Sequence, residues 1–144
     1  MDLNQKLNQY LANQQVMYIK LHNLHWYVQG SSFFALHTKF EELYDVTADI
    51  IDNVAERILA LGGSPVASVK KALEMSQVEE LDDKVISSKE AISELVSDTE
   101  YWIKDTSEII RLANDQNDSA TAGVFDGYLA EYQKLLWMLK AFQA

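Results

Sequence analysis

The stretch LHNLHWYVQGSSFFALHTKFEELYDVTADIIDNVAERILALGG, from Leu21 to Gly63, decides how this chain is read. It carries two histidines, His25 and His37, and three carboxylates, Glu41, Asp52 and Glu56. Imidazole and carboxylate without any cysteine favour borderline-to-hard ions such as iron, manganese or zinc. On an α-helix each residue advances about 100°, so Glu41, Asp52 and Glu56 stand roughly 40°, 60° and 100° round from His37. All four project from one stripe. Along the axis, Glu41 and Asp52 are ~16 Å apart, whereas metal–ligand bonds are only about 2.0–2.6 Å long. If the whole set serves one site, a second copy of the helix must run antiparallel past the first. A two-fold axis then brings His37 and Glu41 of one chain to Asp52 and Glu56 of another, which predicts a symmetric dimer with two equivalent sites.

Each residue alone has a plainer explanation. Acidic residues four apart on a helix ordinarily form a solvated face, and a histidine beside an apolar face is ordinarily a satisfied core residue. Jointly the position differs, because Asp52 is flanked by Ile50, Ile51 and Val54, and Glu56 by Ala55 and Ile58. Acids adjoining that much apolar surface need paired charge or a metal.

The rest of the chain frames this stretch as all-α. A length of 144 residues predicts one domain, 1–144, and 48% hydrophobic residues suffice for its core. One proline, five glycines and long rows at helical period point to helices throughout. The first row is Leu3, Leu7, Leu11, Met17, Tyr18, Leu21, Leu24 and Val28, ending at Gln29-Gly30. Ser31 or Ser32 is the expected cap of a second helix that runs to Gly62-Gly63, with Ser64-Pro65 as its stop. Ser87 and Glu90 form a candidate capping box for a third, whose stripe is Ile92, Leu95, Val96, Thr99, Trp102, Ile103, Ile109 and Ile110. Asp118 or Ser119 starts the fourth, with Val124, Phe125, Tyr128, Leu129, Tyr132, Leu136 and Leu139 inward. More than twenty residues separate helices two and three, with a short helical pattern at Val66 to Met75. So long a connection suits a bundle with a crossover, the ferritin-like arrangement. No apolar run is long enough for a membrane span, no secretory leader is visible, and the absence of cysteine makes a reducing cytoplasm the default.

The residue pattern resembles the Dps family, mini-ferritins of the ferritin-like superfamily that protect DNA during starvation. That family's signature places a histidine before a tryptophan, a second histidine twelve residues on, a carboxylate four residues later, and then an Asp-x-x-x-Glu pair. Here these fall on His25 (before Trp26), His37, Glu41, Asp52 and Glu56, with AERILALGG closing the run at Ala55 to Gly63. The likeness covers essentially the whole chain, including LLWMLKAF at Leu135 to Phe142. One departure is Glu41, where aspartate is commoner in the family.

The resemblance implies a ferritin-like four-helix bundle with a short extra helix in the long connection. It also implies a hollow dodecamer built from two-fold dimers, with oxidation of Fe²⁺, preferably by hydrogen peroxide, and storage of a ferric mineral. In that scheme His25 and His37 come from one subunit and Asp52 and Glu56 from its neighbour, Glu56 bridging two ions and Glu41 helping to hold the second. Trp26 is a candidate neighbour of the site and radical sink, or an interface tryptophan. His22, three residues before His25, is not used by the family pattern and reads as a hydrogen-bonding interface residue. Glu42, Asp45 and Asp49 are candidates for cavity nucleation, or for a solvated outer face.

Charge bears on two further expectations. The chain has 22 acidic and 12 basic residues, a net −10. Twelve copies would carry about −120, a poor partner for the DNA polyanion. MDLNQKLNQY holds only Lys6 and the last residues read KAFQA, neither of them lysine-rich; Mg²⁺ bridging or a local patch such as Lys70-Lys71, ordinarily plain surface, is the expected source of any weak contact. Strong direct DNA binding is therefore not expected. In the family, acids at the start of the last helix line three-fold pores. The matching DSATAG keeps Asp118, but Ser119 and Gly123 stand where carboxylates often occur, with Asp115 and Asp126 as possible substitutes, so a less acidic pore and slower iron entry are expected. Two rival functions stay open: a bundle that holds zinc or is purely structural, without redox turnover, and an architectural DNA-compacting protein.

Overall fold

A computed structural model of residues 1–144 shows an all-α chain of five helices: α1 (Leu3–Tyr27), α2 (Phe33–Ala60), α3 (Val69–Met75), α4 (Ser88–Asp115) and α5 (Ser119–Gln143). Two-residue strands β1 (Val28–Gln29) and β2 (Ile86–Ser87) pair in parallel, Val28 with Ile86 and Gln29 with Ser87. The expected short helix in the long connection is α3. No helix is long and apolar enough to cross a membrane. The chain forms two compact units, Asn4–Ala91, and Ile92–Ala144 with the first three residues.

In the first unit α1 and α2 form an antiparallel hairpin, with Tyr18 and His22 facing Tyr44 and His25 facing His37. Gly30 at φ 105° and Ser32 at φ 62° reverse the chain between them. Ser32 occupies the cap position of α2 in left-handed backbone and its hydroxyl makes no capping bond, which corrects the expected serine cap. Its carbonyl instead accepts from Leu36 N at 2.9 Å. The far end of α2 closes as expected of a glycine stop: Gly62 is at φ 84°, and Gly63 N reaches Ile58 O at 2.9 Å. Gly63 also admits Asn4, whose Oδ1 would collide with any Cβ there.

α1 is buried on most of its circumference, so its polar residues need partners. The backbone of the long connection supplies several. Asn8 accepts from Val66 N at 2.8 Å and donates to Ser64 O, and Gln15 donates to Val66 O at 3.0 Å. The fully buried Asn13 accepts from Gln77 N at 2.7 Å and from the Ser76 hydroxyl at 3.0 Å, and Asn23 donates to Asp82 O at 3.1 Å. This ladder of side-chain amides ties the connection along α1, and the β1–β2 bridge with the Ser88 hydroxyl on Gln29 O ties its end.

The second unit is also an antiparallel hairpin, in which Trp102 of α4 stacks on Tyr132 of α5 with centroids 6.0 Å apart. Asn117, at φ 58°, turns the chain, and Asp118 caps α5 by accepting from Thr121 N at 3.1 Å and from its hydroxyl at 2.6 Å. Ser87 caps α4, accepting from Glu90 N at 3.1 Å. Phe125 and Leu139 are buried as expected, whereas Val124 is exposed; Thr121, Ala122 and Phe125 take the inner face at that turn.

Candidate metal centre

The centre is built where the end of α1 passes the start of α2. His25 and His37 exchange hydrogen bonds across the hairpin: His25 Nδ1 lies 2.6 Å from His37 O, and His37 Nδ1 lies 2.8 Å from His25 O. A carbonyl oxygen can only accept, so both Nδ1 atoms carry the proton. In the neutral rings this leaves both Nε2 lone pairs bare and outward. Fixing one imidazole nitrogen so that the other is free to ligate is how metal-binding histidines are ordinarily oriented. The rings stack at 3.6 Å and 14°, with Phe33 stacked on the outer face of His37 at 5.2 Å. His25 is buried and His37 half-buried, so neither ring is free to wander.

Glu41 lies one turn beyond His37. Its Oε1 is 3.9 Å from His25 Nε2. A neutral imidazole there turns a lone pair towards that oxygen, and the two could share a cation. The other oxygen contact of Glu41 is the Tyr44 hydroxyl, which donates to the same Oε1 at 3.3 Å. Desolvation, then the charge of Glu41 and that hydrogen bond, push the Tyr44 phenol above its ordinary pKa.

Asp52 and Glu56 sit on the same helix but are exposed, four residues apart. A carboxyl–carboxyl hydrogen bond with Asp52, and then the charge of Asp52, raise Glu56 above the ordinary carboxylate range. A carboxylate pair close enough for one member to raise the pKa of the other favours added positive charge between them. Within one protomer the histidines and Glu41 are not joined by this pair, and no three potential ligands converge to hold an ion. The distance along α2 forbids it, as the spacing predicted.

Other expected residues fall out as follows. Trp26 is 68% exposed and its ring meets His22 at 5.3 Å. His22 bonds through Nδ1 to Tyr18 O at 2.7 Å and stacks on Tyr44 at 3.8 Å, so it is hydrogen-bonded inside its own hairpin. Glu42 pairs with Lys39 at 3.4 Å, while Asp45 and Asp49 are exposed. Asp115 pairs with Arg111 at 3.2 Å, Asp126 is exposed, and the Asp118 carboxylate is engaged in the α5 cap. Tyr44 and Phe33 were not singled out in the sequence. The available signal for Tyr44 was its place one turn beyond Glu41 on the same face.

Comparison with known proteins bears on the family and the fold. The ferritin-like domain pattern matches residues 4–144. The DNA protection during starvation protein 2 of Bacillus anthracis is 40% identical over 136 residues, covering 94% of this chain and 92% of its own. The crystal structure of a Dps protein from Bacillus brevis superposes with a TM-score of 0.95 at 39% identity, covering 99% of this chain and 95% of that one. A Dps structure from Listeria innocua, soaked with zinc, gives 0.94 at 35% identity, covering 99% and 96%.

Proposed function

The chain belongs to the Dps branch of the ferritin-like family, and from that premise we propose that it is a ferroxidase that stores iron in a hollow shell of identical subunits. The family and fold support an iron-sequestering mini-ferritin. The observation that carries the catalytic reading is the locked hairpin that holds His25 Nε2 3.9 Å from Glu41 Oε1, an oxygen that also accepts from Tyr44.

In this reading His25 and His37 bind Fe²⁺ as neutral imidazoles, and Glu41 faces a second ion. Asp52 and Glu56 of a neighbouring subunit complete the site, Glu56 lying between the two ions. Imidazole suits Fe²⁺, while carboxylates hold the harder Fe³⁺ as charge rises. So few protein ligands per ion leave positions for water or peroxide. Two Fe²⁺ give one electron each to hydrogen peroxide, and with two protons the products are two Fe³⁺ and two waters. Taking both electrons in one site avoids releasing hydroxyl radical. The whole chain, 1–144, acts as one ferritin-like domain in a shell of twelve subunits assembled from two-fold dimers in the cytoplasm.

Protection would follow from removing iron and peroxide and not from coating DNA. With a net charge of −10 per chain, and Lys70 and Lys71 the one exposed basic doublet on α3, direct grip on phosphates is weak. Gel retardation at low salt, with and without Mg²⁺, tests this: a shift without Mg²⁺ contradicts it. Zinc held without turnover is the second reading, favoured by the same donor set, and a relative from Listeria innocua has been soaked with that ion. Anaerobic loading with Fe²⁺ followed by a peroxide pulse separates the two. Ferroxidation predicts rapid oxidation of about two Fe²⁺ per peroxide, a two-electron stoichiometry, lost in His25→Ala/His37→Ala. Oxidation no faster than in buffer leaves the zinc or structural reading.

A further inference from the structure

We propose that Tyr44 is a positioning residue for Glu41, clamped by His22 so that the longer glutamate side chain presents its carboxylate to the metal site. The inference rests on the reading of Glu41 as a metal-facing group. Glutamate has one more rotatable bond than the aspartate commoner in the family, so its carboxylate needs an added restraint to stay in one place. The Tyr44 hydroxyl supplies it by donating to Glu41 Oε1 at 3.3 Å, the same oxygen that faces His25 Nε2.

Tyr44 can do this because its own ring is confined on three sides. His22 stacks on one face at 3.8 Å and 18°, Tyr18 meets it edge-on at 6.1 Å, and His25 meets it edge-on at 5.4 Å. His22 is itself fixed by its Nδ1 bond to Tyr18 O at 2.7 Å, and Trp26 lies tilted beyond it at 5.3 Å. A chain of contacts thus runs from the backbone of α1 through His22 and Tyr44 to the carboxylate on α2. It gives His22 a role without direct ligation, and it connects the exposed Trp26 to the centre through packing.

The test uses Co²⁺, a redox-stable probe, on the assembled protein, reading affinity by titration calorimetry and ligand field by visible absorption. Tyr44→Phe keeps the ring and removes only the hydroxyl. It is expected to weaken the Glu41-dependent Co²⁺ by about tenfold and to change its visible spectrum, as loss of an outer hydrogen bond does at metal sites. In Glu41→Ala, and in Glu41→Asp, where the shorter chain withdraws from the phenol, adding Tyr44→Phe should change nothing further. His22→Ala should reproduce part of the Tyr44→Phe loss. Wild-type affinity and spectrum in Tyr44→Phe would overturn the inference, as would an equal loss in the Glu41→Ala background. If Glu41→Ala itself binds Co²⁺ like wild type, the metal-facing reading of Glu41 fails first and takes this inference with it.

Discussion

The two ends of α2 carry the same kind of chemistry in opposite states of readiness. At its start, His37 is locked to α1 by reciprocal hydrogen bonds with His25, stacked on both faces, and followed by a carboxylate held by Tyr44. One to two turns from its end, Asp52 and Glu56 stand exposed, and hydrogen bonding to Asp52 and then its charge raise the pKa of Glu56. One end is preorganised by its own chain, and the other presents a carboxylate pair to solvent. The difference teaches what the proposed centre would need: one half built rigidly within a subunit and the other half offered to a neighbour, as an isologous interface requires.

The strongest way to break this comparison is to remove the locked end. His25→Ala/His37→Ala should lower the rate of Fe²⁺ oxidation by peroxide by more than about 100-fold, since even outer groups at metal sites are worth 10–100-fold. Stopped-flow absorbance at the ferric band measures it, and retention of more than a tenth of the rate would place the chemistry elsewhere.

Stability of the metal-free protein sharpens the contrast. His25→Ala alone removes a buried ring and its hydrogen bond to the His37 carbonyl, at a cost of about 1–3 kcal/mol. Asp52→Asn, at an exposed site, should leave the melting temperature unchanged or raise it by relieving like charge, while abolishing tight metal binding. Thermal melts in chelator read both. A larger loss in Asp52→Asn than in His25→Ala would reverse the assignment of which end is structural.

The smallest effect is on pH. The folded state raises the pKa of Glu56, so it holds that proton more tightly than the unfolded chain does. Its contribution to stability is therefore present below the ordinary glutamate range and fades as pH rises through the raised value. Metal-free wild type should lose a little melting temperature over that rise, and Asp52→Asn, which removes the charge behind part of the shift and can donate its amide to the ionised Glu56, should lose less. Parallel melting curves for the two proteins across that range would contradict the coupling.

Legibility in the sequence followed the range of the interactions. Helix existence, the Gly62-Gly63 stop, the Ser87 cap and the short helix in the connection were all legible, because they depend on neighbours a few residues away. So was the separation of the candidate residues into two groups, which follows from helical rise alone. The face-to-face locking of His25 and His37 was not, since it depends on how Gly30 and Ser32 turn the chain between two helices. The same turn put Ser32 in left-handed backbone and cancelled its cap. Tyr44 went unnoticed because its value lies in contacts with α1, a register that no local pattern encodes. Val124 was misplaced for a different reason: α5 is apolar round much of its surface, with Trp137, Met138 and Phe142 also exposed, so periodicity cannot choose one face. Asp118 was legible as a start of α5, and its carboxylate bonds Thr121 there.

The most direct test of a centre shared between subunits is complementation. His25→Ala/His37→Ala and Asp52→Ala/Glu56→Ala chains, each inactive alone, are co-assembled in equal amounts and assayed for peroxide-driven Fe²⁺ oxidation. If histidines and acids meet across a two-fold axis, random pairing leaves one intact site in every mixed dimer and restores about a quarter of the wild-type sites. No recovery above the separate variants, in mixed assemblies verified by mass, would show that the two ends of α2 do not form one centre.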